Sequence, residues 1–137
     1  MERFEEGVER VTDMRFARWL AIIGGVLAPV LETMRRWSTW KQSPANLFDD
    51  YILGAFLLYG AWRVSKDIRS GQRFLVAAWG FACGLGYYSF FGQLKDLQQG
   101  QPDPAAIGSG WVLVIKGIAW GLAIVALALS LRRLPER

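Results

Sequence analysis

The sequence predicts an all-α integral membrane protein: a four-helix bundle of four transmembrane helices, with both termini cytoplasmic and a short N-terminal amphipathic helix. Three observations predict it. Residues 111–131, WVLVIKGIAWGLAIVALALSL, contain one charge, Lys116. A helix of that length reaches roughly 31 Å, the thickness of a bilayer's hydrocarbon core. Three further apolar stretches alternate with polar segments, and the basic residues are unevenly distributed among those segments.

The N-terminal segment, residues 1–15, is polar and amphipathic. It carries five acids and three arginines, while Phe4, Val8 and Val11 fall on one helical stripe. This pattern predicts a short helix that lies at the membrane surface or runs into the first span. The domain organisation is therefore this segment followed by a single membrane domain, residues 16–137.

The first span, about residues 16–37, contains Pro29, which removes a backbone donor and predicts a kink. Glu32 follows inside the apolar run. The basic and aromatic residues after it are typical of an anchor at the membrane interface; these are Arg35, Arg36, Trp37 and Trp40.

The second span, about residues 47–63, begins with the acidic pair Asp49 and Asp50. One interpretation is a capped helix start, in which Asn46 and Asp49 form a capping-box arrangement and the helix dipole favours the acids. The other interpretation is half of a cation site.

The third and fourth spans, about residues 74–94 and 111–131, each contain two glycines four residues apart. Small residues at this spacing allow helix backbones to approach closely in a membrane. The pattern predicts that spans three and four pack against each other within one chain, and a dimer contact is the alternative. The glycines are Gly80, Gly84, Gly117 and Gly121. The polar residues, prolines and glycines of residues 95–110 predict a loop, the longest polar connection in the chain.

The orientation follows from the sixteen Lys and Arg residues. Eleven lie in residues 1–18, the middle loop (Arg63–Arg73) and the C-terminal tail, and four lie in the other two loops. The positive-inside rule then places both termini in the cytoplasm.

This orientation places the unusual charges of the spans at similar depth. Glu32 lies five residues before Trp37, and Lys116 lies five residues after Trp111. Because charges inside a membrane usually pair or face a wet cavity, we expect Glu32 and Lys116 to pair directly within a polar cluster in the outer leaflet. In the alternative, Lys116 extends to the interface and Glu32 pairs only with Arg36. The candidate binding residues are Glu32, Lys116, Asp49, Asp50, Arg35 and Arg36, with Tyr87 and Tyr88 adding polarity to span three.

Enzyme chemistry and cofactors are not predicted, because the chain has no histidine and no nucleophile, zinc or phosphate-loop motif. Nucleic acid is not expected as a partner, since the apolar runs leave no soluble domain to bind it. The expected partners are the lipid bilayer and either a second copy or another membrane protein. The expected function is a non-catalytic accessory or assembly subunit, or a binder of a lipid or small solute, in a bacterial inner membrane. The alternative is an oligomeric transporter or channel subunit.

Overall fold

The computed structural model describes residues 1–37, 44–103 and 107–134, apart from the side chains of residues 44–46. These residues form four α-helices and, within the described ranges, no strand. The helices are α1 (Glu2–Arg36), α2 (Pro44–Lys66), α3 (Ile68–Gln98) and α4 (Ser109–Ser130). The predicted all-α class and the predicted four helices are confirmed. Trp40 and the side chain of Asn46, both singled out in the sequence, lie outside the described residues.

The helices form an antiparallel bundle. Each packs against the next in sequence, and α1 also packs against α4, which closes the bundle. The indole Nε1 of Trp79 on α3 donates to the carbonyl of Ala17 on α1 at 3.3 Å across the centre. Because the four helices alternate in direction, the two termini lie at one end, here called the terminal end; the opposite end is called the polar end.

The N-terminal amphipathic segment runs into the first span, which is one of the two predicted alternatives, because α1 continues unbroken from Glu2 through Pro29 to Arg36. The helix boundaries differ from the predicted ones at two places. The basic loop between spans two and three is reduced to Asp67, whose carboxylate accepts from the Arg69 backbone N–H at 3.1 Å and caps α3. At the other end α3 extends to Gln98, so the loop predicted from Lys95 begins later.

The interior of the bundle is rich in alanine, although Met14, Leu57, Leu75 and Trp79 are also buried, and many other large apolar side chains face outward. Trp19 is 57% exposed and Ile118 is 60% exposed. This is the arrangement expected where lipid surrounds the bundle and tight packing holds the helices together. The buried alanines are Ala17, Ala21, Ala61, Ala78, Ala82, Ala123 and Ala126.

Three helices of the described chain, α1, α3 and α4, are long and apolar enough to cross a membrane. The fourth, α2, is long enough but is not among them. Its charged residues, Asp49 and Asp50 near the start and Arg63 near the end, reduce the apolarity of every membrane-length window.

The predicted role of four glycines in α3–α4 packing is largely wrong. A Cβ atom added at Gly80, Gly84 or Gly121 would meet no atom within 4 Å, so these residues lie on open faces. Gly117 does meet α3, since its added Cβ would lie 3.1 Å from the Phe90 ring. The reciprocal contact is made by Gly86, whose added Cβ would lie 2.7 Å from the ring of Trp120 on α4. Aromatic rings over single glycines, rather than paired glycine motifs, therefore join α3 to α4.

The closest backbone approaches occur at other glycines. Gly25 of α1 and Gly54 of α2 face each other, and a Cβ on Gly54 would lie 2.7 Å from the Gly25 carbonyl oxygen. A Cβ on Gly71 of α3 would lie 2.4 Å from the backbone nitrogen of Val64 on α2. These glycines allow α2 to pack tightly against both of its neighbours.

Polar contacts join the two ends of the chain at the terminal end. Arg132 pairs with Asp13 at 2.7 Å, and Arg10 donates to the carbonyl of Arg133 at 2.9 Å. The amide of Gln72 on α3 donates to the carbonyls of Ser130 and Arg132, both at 2.8 Å. These bonds satisfy carbonyls that the end of α4 would otherwise leave unpaired.

Candidate functional site

Arg35, in the last turn of α1, is the centre of a polar cluster at the polar end. Its Nε and Nη2 donate to the two carboxylate oxygens of Asp103 at 3.1 Å and 2.6 Å, and its Nη1 donates to Glu32 at 2.7 Å. The Asp103 side chain is only 2% exposed and that of Arg35 is 12% exposed. A guanidinium that donates twice to one carboxylate fixes both groups in position. The α3–α4 loop is thereby attached to α1.

Gln93 of α3 uses its whole hydrogen-bonding capacity inside the same cluster. Its Oε1 accepts from Arg35 at 3.3 Å and from Lys116 at 3.2 Å. Its Nε2 donates to Asp103 and to the Ser109 hydroxyl, both at 2.9 Å. The amide oxygen thus faces two cations and the amide nitrogen faces a carboxylate, which makes the assignment of the two atoms unambiguous. This buried amide links α1, α3, α4 and the loop.

Glu32 pairs locally on α1, with Arg35 and Arg36, through a single carboxylate oxygen. Among the described residues Glu32 forms no ion pair with Lys116, so the direct pairing of these two residues is not present. Lys116 donates to Gln93 instead, and Arg35 completes the connection to Glu32. The structure therefore combines the two sequence interpretations: Glu32 meets Arg36, and the wider cluster also exists. We name these seven residues the Arg35 cluster: Glu32, Arg35, Arg36, Gln93, Asp103, Ser109 and Lys116.

The acidic pair of α2 lies beside this cluster. Asp50 is half-buried and lies within electrostatic range of Glu32, Lys116 and Arg36, whereas Asp49 is exposed. Neither acid forms an ion pair with a described residue. Because α2 begins at Pro44, the two acids lie in its second turn and not its first, which weakens the capping interpretation.

The two tyrosines predicted to contribute lie elsewhere. Tyr87 and Tyr88 are 58% and 73% exposed. The Tyr87 ring packs against Phe91 and Trp120, at centroid distances of 4.8 Å and 5.8 Å. In the described part of the chain neither tyrosine hydrogen-bonds to the Arg35 cluster. Tyr87 belongs to the aromatic contact between α3 and α4, and Tyr88 faces outward.

Three members of the cluster were missed by sequence reasoning: Gln93, Asp103 and Ser109. Gln93 carried a usable signal, because it is a lone amide near the end of an otherwise apolar span and such residues usually bond across helices. Asp103 and Ser109 carried none, since polar residues are ordinary in a loop.

The three cations of the cluster, Arg35, Arg36 and Lys116, lie near three acids: Glu32 and Asp103 of the cluster and the neighbouring Asp50. No group of three acidic, cysteine or histidine side chains able to hold a metal ion occurs within residues 1–37, 44–103 and 107–134. Chemically, the arrangement can hold the helices together through hydrogen bonds and ion pairs, and its cations can stabilise a negative charge at Asp50. Comparison of the chain with protein-family models, with curated proteins and with solved structures finds no match.

Proposed function

We propose that the chain is an integral membrane protein with four spans, both termini in the cytoplasm, and a bacterial inner membrane as its location. The outward-facing apolar side chains and the alanine-rich interior support insertion. The distribution of Lys and Arg supports the orientation. In this proposal α2 crosses the bilayer despite its acids because Asp50 faces the Arg35 cluster, where charged groups are already gathered.

The orientation can be tested with reporter fusions. Because eleven of the sixteen basic residues lie on one side, fusions at residue 137 and within residues 67–69 should be fluorescent with a cytoplasmic reporter. An alkaline phosphatase fusion within residues 99–102 should be active. Phosphatase activity from the C-terminal fusion would contradict the orientation, and solubility of the protein after a carbonate wash would contradict insertion.

For activity, we propose a non-catalytic accessory or assembly subunit in which the Arg35 cluster has a structural role: it holds α1, α3, α4 and the loop between α3 and α4 together. The observation that carries this proposal is the saturation of Gln93, whose four hydrogen bonds all go to other members of the chain. Arg35 is likewise occupied by Glu32 and Asp103. A binding site normally has convergent polar groups that are free to bind its ligand. Here those groups are hydrogen-bonded to other residues of the same chain. Asp103 and the described loop residues before it, 99–102, are thus held at the polar end, available to a membrane partner.

A second candidate, an oligomeric transporter or channel subunit, is favoured by one observation. Asp50 is half-buried among charged groups and forms no ion pair with a described residue. Ionisable residues in this situation often bind a cation or proton on its way across a membrane. In this candidate the conducting path runs between copies of the chain.

Reconstitution into liposomes separates the two candidates. For the accessory subunit we expect proton, sodium and potassium flux equal to that of empty liposomes, with Asp50→Asn indistinguishable from the wild type. Asp49→Asn, the exposed neighbour, is the matched control. Flux that the wild type and Asp49→Asn share and that Asp50→Asn loses would favour the transporter and overturn the accessory proposal.

A further inference from the structure

Two arginines from neighbouring helices lie against one aromatic ring near the terminal end. The guanidinium carbons of Arg63 on α2 and Arg73 on α3 are 5.0 Å and 5.1 Å from the centroid of the Phe74 ring. The two cations are therefore within about 10 Å of each other. The ring attracts both, but a π-face does not use the hydrogen-bond donors of a guanidinium group. We call this set the arginine pair.

The donors of this pair have no hydrogen-bond partner among residues 1–37, 44–103 and 107–134. The Nε of Arg63 is buried and is one of these donors. Neither arginine forms a salt bridge with any residue that the structure describes. A buried donor on a charged group without a partner is costly, so its presence in a native fold calls for an explanation. Arg63 is half-buried and Arg73 is exposed, so an anion from outside the chain can reach the two guanidinium groups and compensate their charge.

We propose that the arginine pair binds the phosphate of an anionic phospholipid in the cytoplasmic leaflet. This rests on the proposed membrane orientation, which places Arg63 and Arg73 at that leaflet. Guanidinium forks match the oxygens of a phosphate, and basic pockets between spans on the cytoplasmic side are where anionic headgroups bind.

The apolar surroundings favour a lipid over a free phosphate ion. Tyr59 meets the Phe74 ring edge-on at 5.4 Å and lies 5.9 Å from Trp62 on the same helix. Tyr59 is 47% exposed and Trp62 is 51% exposed, so a ridge of rings continues outward from the arginine pair. Amphipathic rings of this kind are enriched at the headgroup level of a bilayer. A phospholipid bound through its phosphate would lay its glycerol and acyl chains along this ridge.

Lipid titration of the purified protein in detergent, read by native mass spectrometry, tests the assignment. The probes are phosphatidylglycerol, phosphatidylcholine and inorganic phosphate. We expect phosphatidylglycerol to bind the wild type, and Arg63→Gln/Arg73→Gln to bind it about tenfold more weakly or worse. The matched control is Arg3→Gln/Arg15→Gln, which removes the same charge from exposed positions at the same end and should stay within about twofold of the wild type. Inorganic phosphate should not bind measurably.

Equal affinity of the double variant and the wild type for phosphatidylglycerol would overturn the proposal, as would equal binding of phosphatidylcholine. Inorganic phosphate bound as tightly as the lipid would also overturn it, since the site would then be a simple anion site. Arg73→Gln alone, at an exposed position, provides the same comparison if the double variant loses its helical circular dichroism. A protein that stays in carbonate-washed membranes yet shows no lipid preference would refute this inference alone and leave the proposed topology intact.

Discussion

Replacing Arg35 with methionine is expected to lower the free energy of unfolding in detergent by roughly 3 to 5 kcal/mol, the usual cost of breaking a buried ion pair. Asp103, whose side chain is 2% exposed, would lose a partner that donates to both of its oxygens. Glu32 and Gln93 would each lose one bond from the same guanidinium group. The loss should be measured by chemical unfolding in mixed micelles, followed by circular dichroism.

The matched control for this prediction is Arg36→Met, the same substitution at the adjacent position. Arg36 pairs only with Glu32 among the described residues, and Glu32 would keep Arg35, so we expect a loss of about 1 kcal/mol or less. A double-mutant cycle adds Asp103→Asn, and the double variant should be less damaged than the sum of the two single variants. Equal losses for Arg35→Met and Arg36→Met, or strict additivity in the cycle, would show that the Arg35–Asp103 pair is not a buried fastening.

The helical architecture was predictable because one physical requirement dominates it. Membrane-length apolar runs separated by polar residues form helices, and consecutive helices with short connections pack antiparallel. The predicted positions of several helix ends were wrong. No glycine or proline lies within residues 8–23, and α1 continues through residue 15. A loop was predicted between spans two and three because this stretch is rich in basic residues. Such side chains can extend away from the end of a helix, and the backbone there is helical on both sides of Asp67.

The sequence predicted members of the candidate site only where their position along a span was enough to place them at the polar end. Glu32 and Lys116 were placed at the same end by counting residues from a tryptophan, and both lie in the Arg35 cluster. Their actual partners depend on side-chain direction and on a loop contact 68 residues away in sequence, between Arg35 and Asp103. Sequence periodicity carries no information about such contacts. A direct Glu32–Lys116 pair was therefore a reasonable hypothesis that overlooked a neutral amide between them.

The glycine motifs were misread for a related reason. Spacing of four residues shows that two glycines share a helix face, but it does not show which face meets a neighbour. Gly80 and Gly84 share a face that is open in the described chain, whereas the packed glycines of the α2 contacts, such as Gly54 and Gly71, form no such pair. The exposed fraction of each residue, which only the folded structure provides, distinguishes the two cases.

Replacing Gly71 with alanine is expected to destabilise the protein by roughly 1 to 3 kcal/mol, the range typical of overpacking. The added Cβ would lie 2.4 Å from the Val64 backbone nitrogen and 2.5 Å from the Arg63 carbonyl carbon. Backbone atoms cannot rotate away as a side-chain end does, so α2 and α3 would have to separate next to their one-residue connection. The measurement is the midpoint of thermal unfolding in detergent, which should fall by several degrees.

Gly84→Ala is the matched control, because it places the same methyl group on the same helix and is expected to have the opposite sign. A Cβ at Gly84 would meet nothing within 4 Å, and alanine is favoured over glycine in a helix interior by up to about 1 kcal/mol. We therefore expect an unchanged or slightly raised unfolding midpoint for Gly84→Ala, and the same for Gly84→Leu within the open space. A fall in midpoint for the Gly84 variants as large as that for Gly71→Ala would mean that another chain occupies the open face of α3. No change at Gly71 would mean that α2 and α3 are not packed through this glycine.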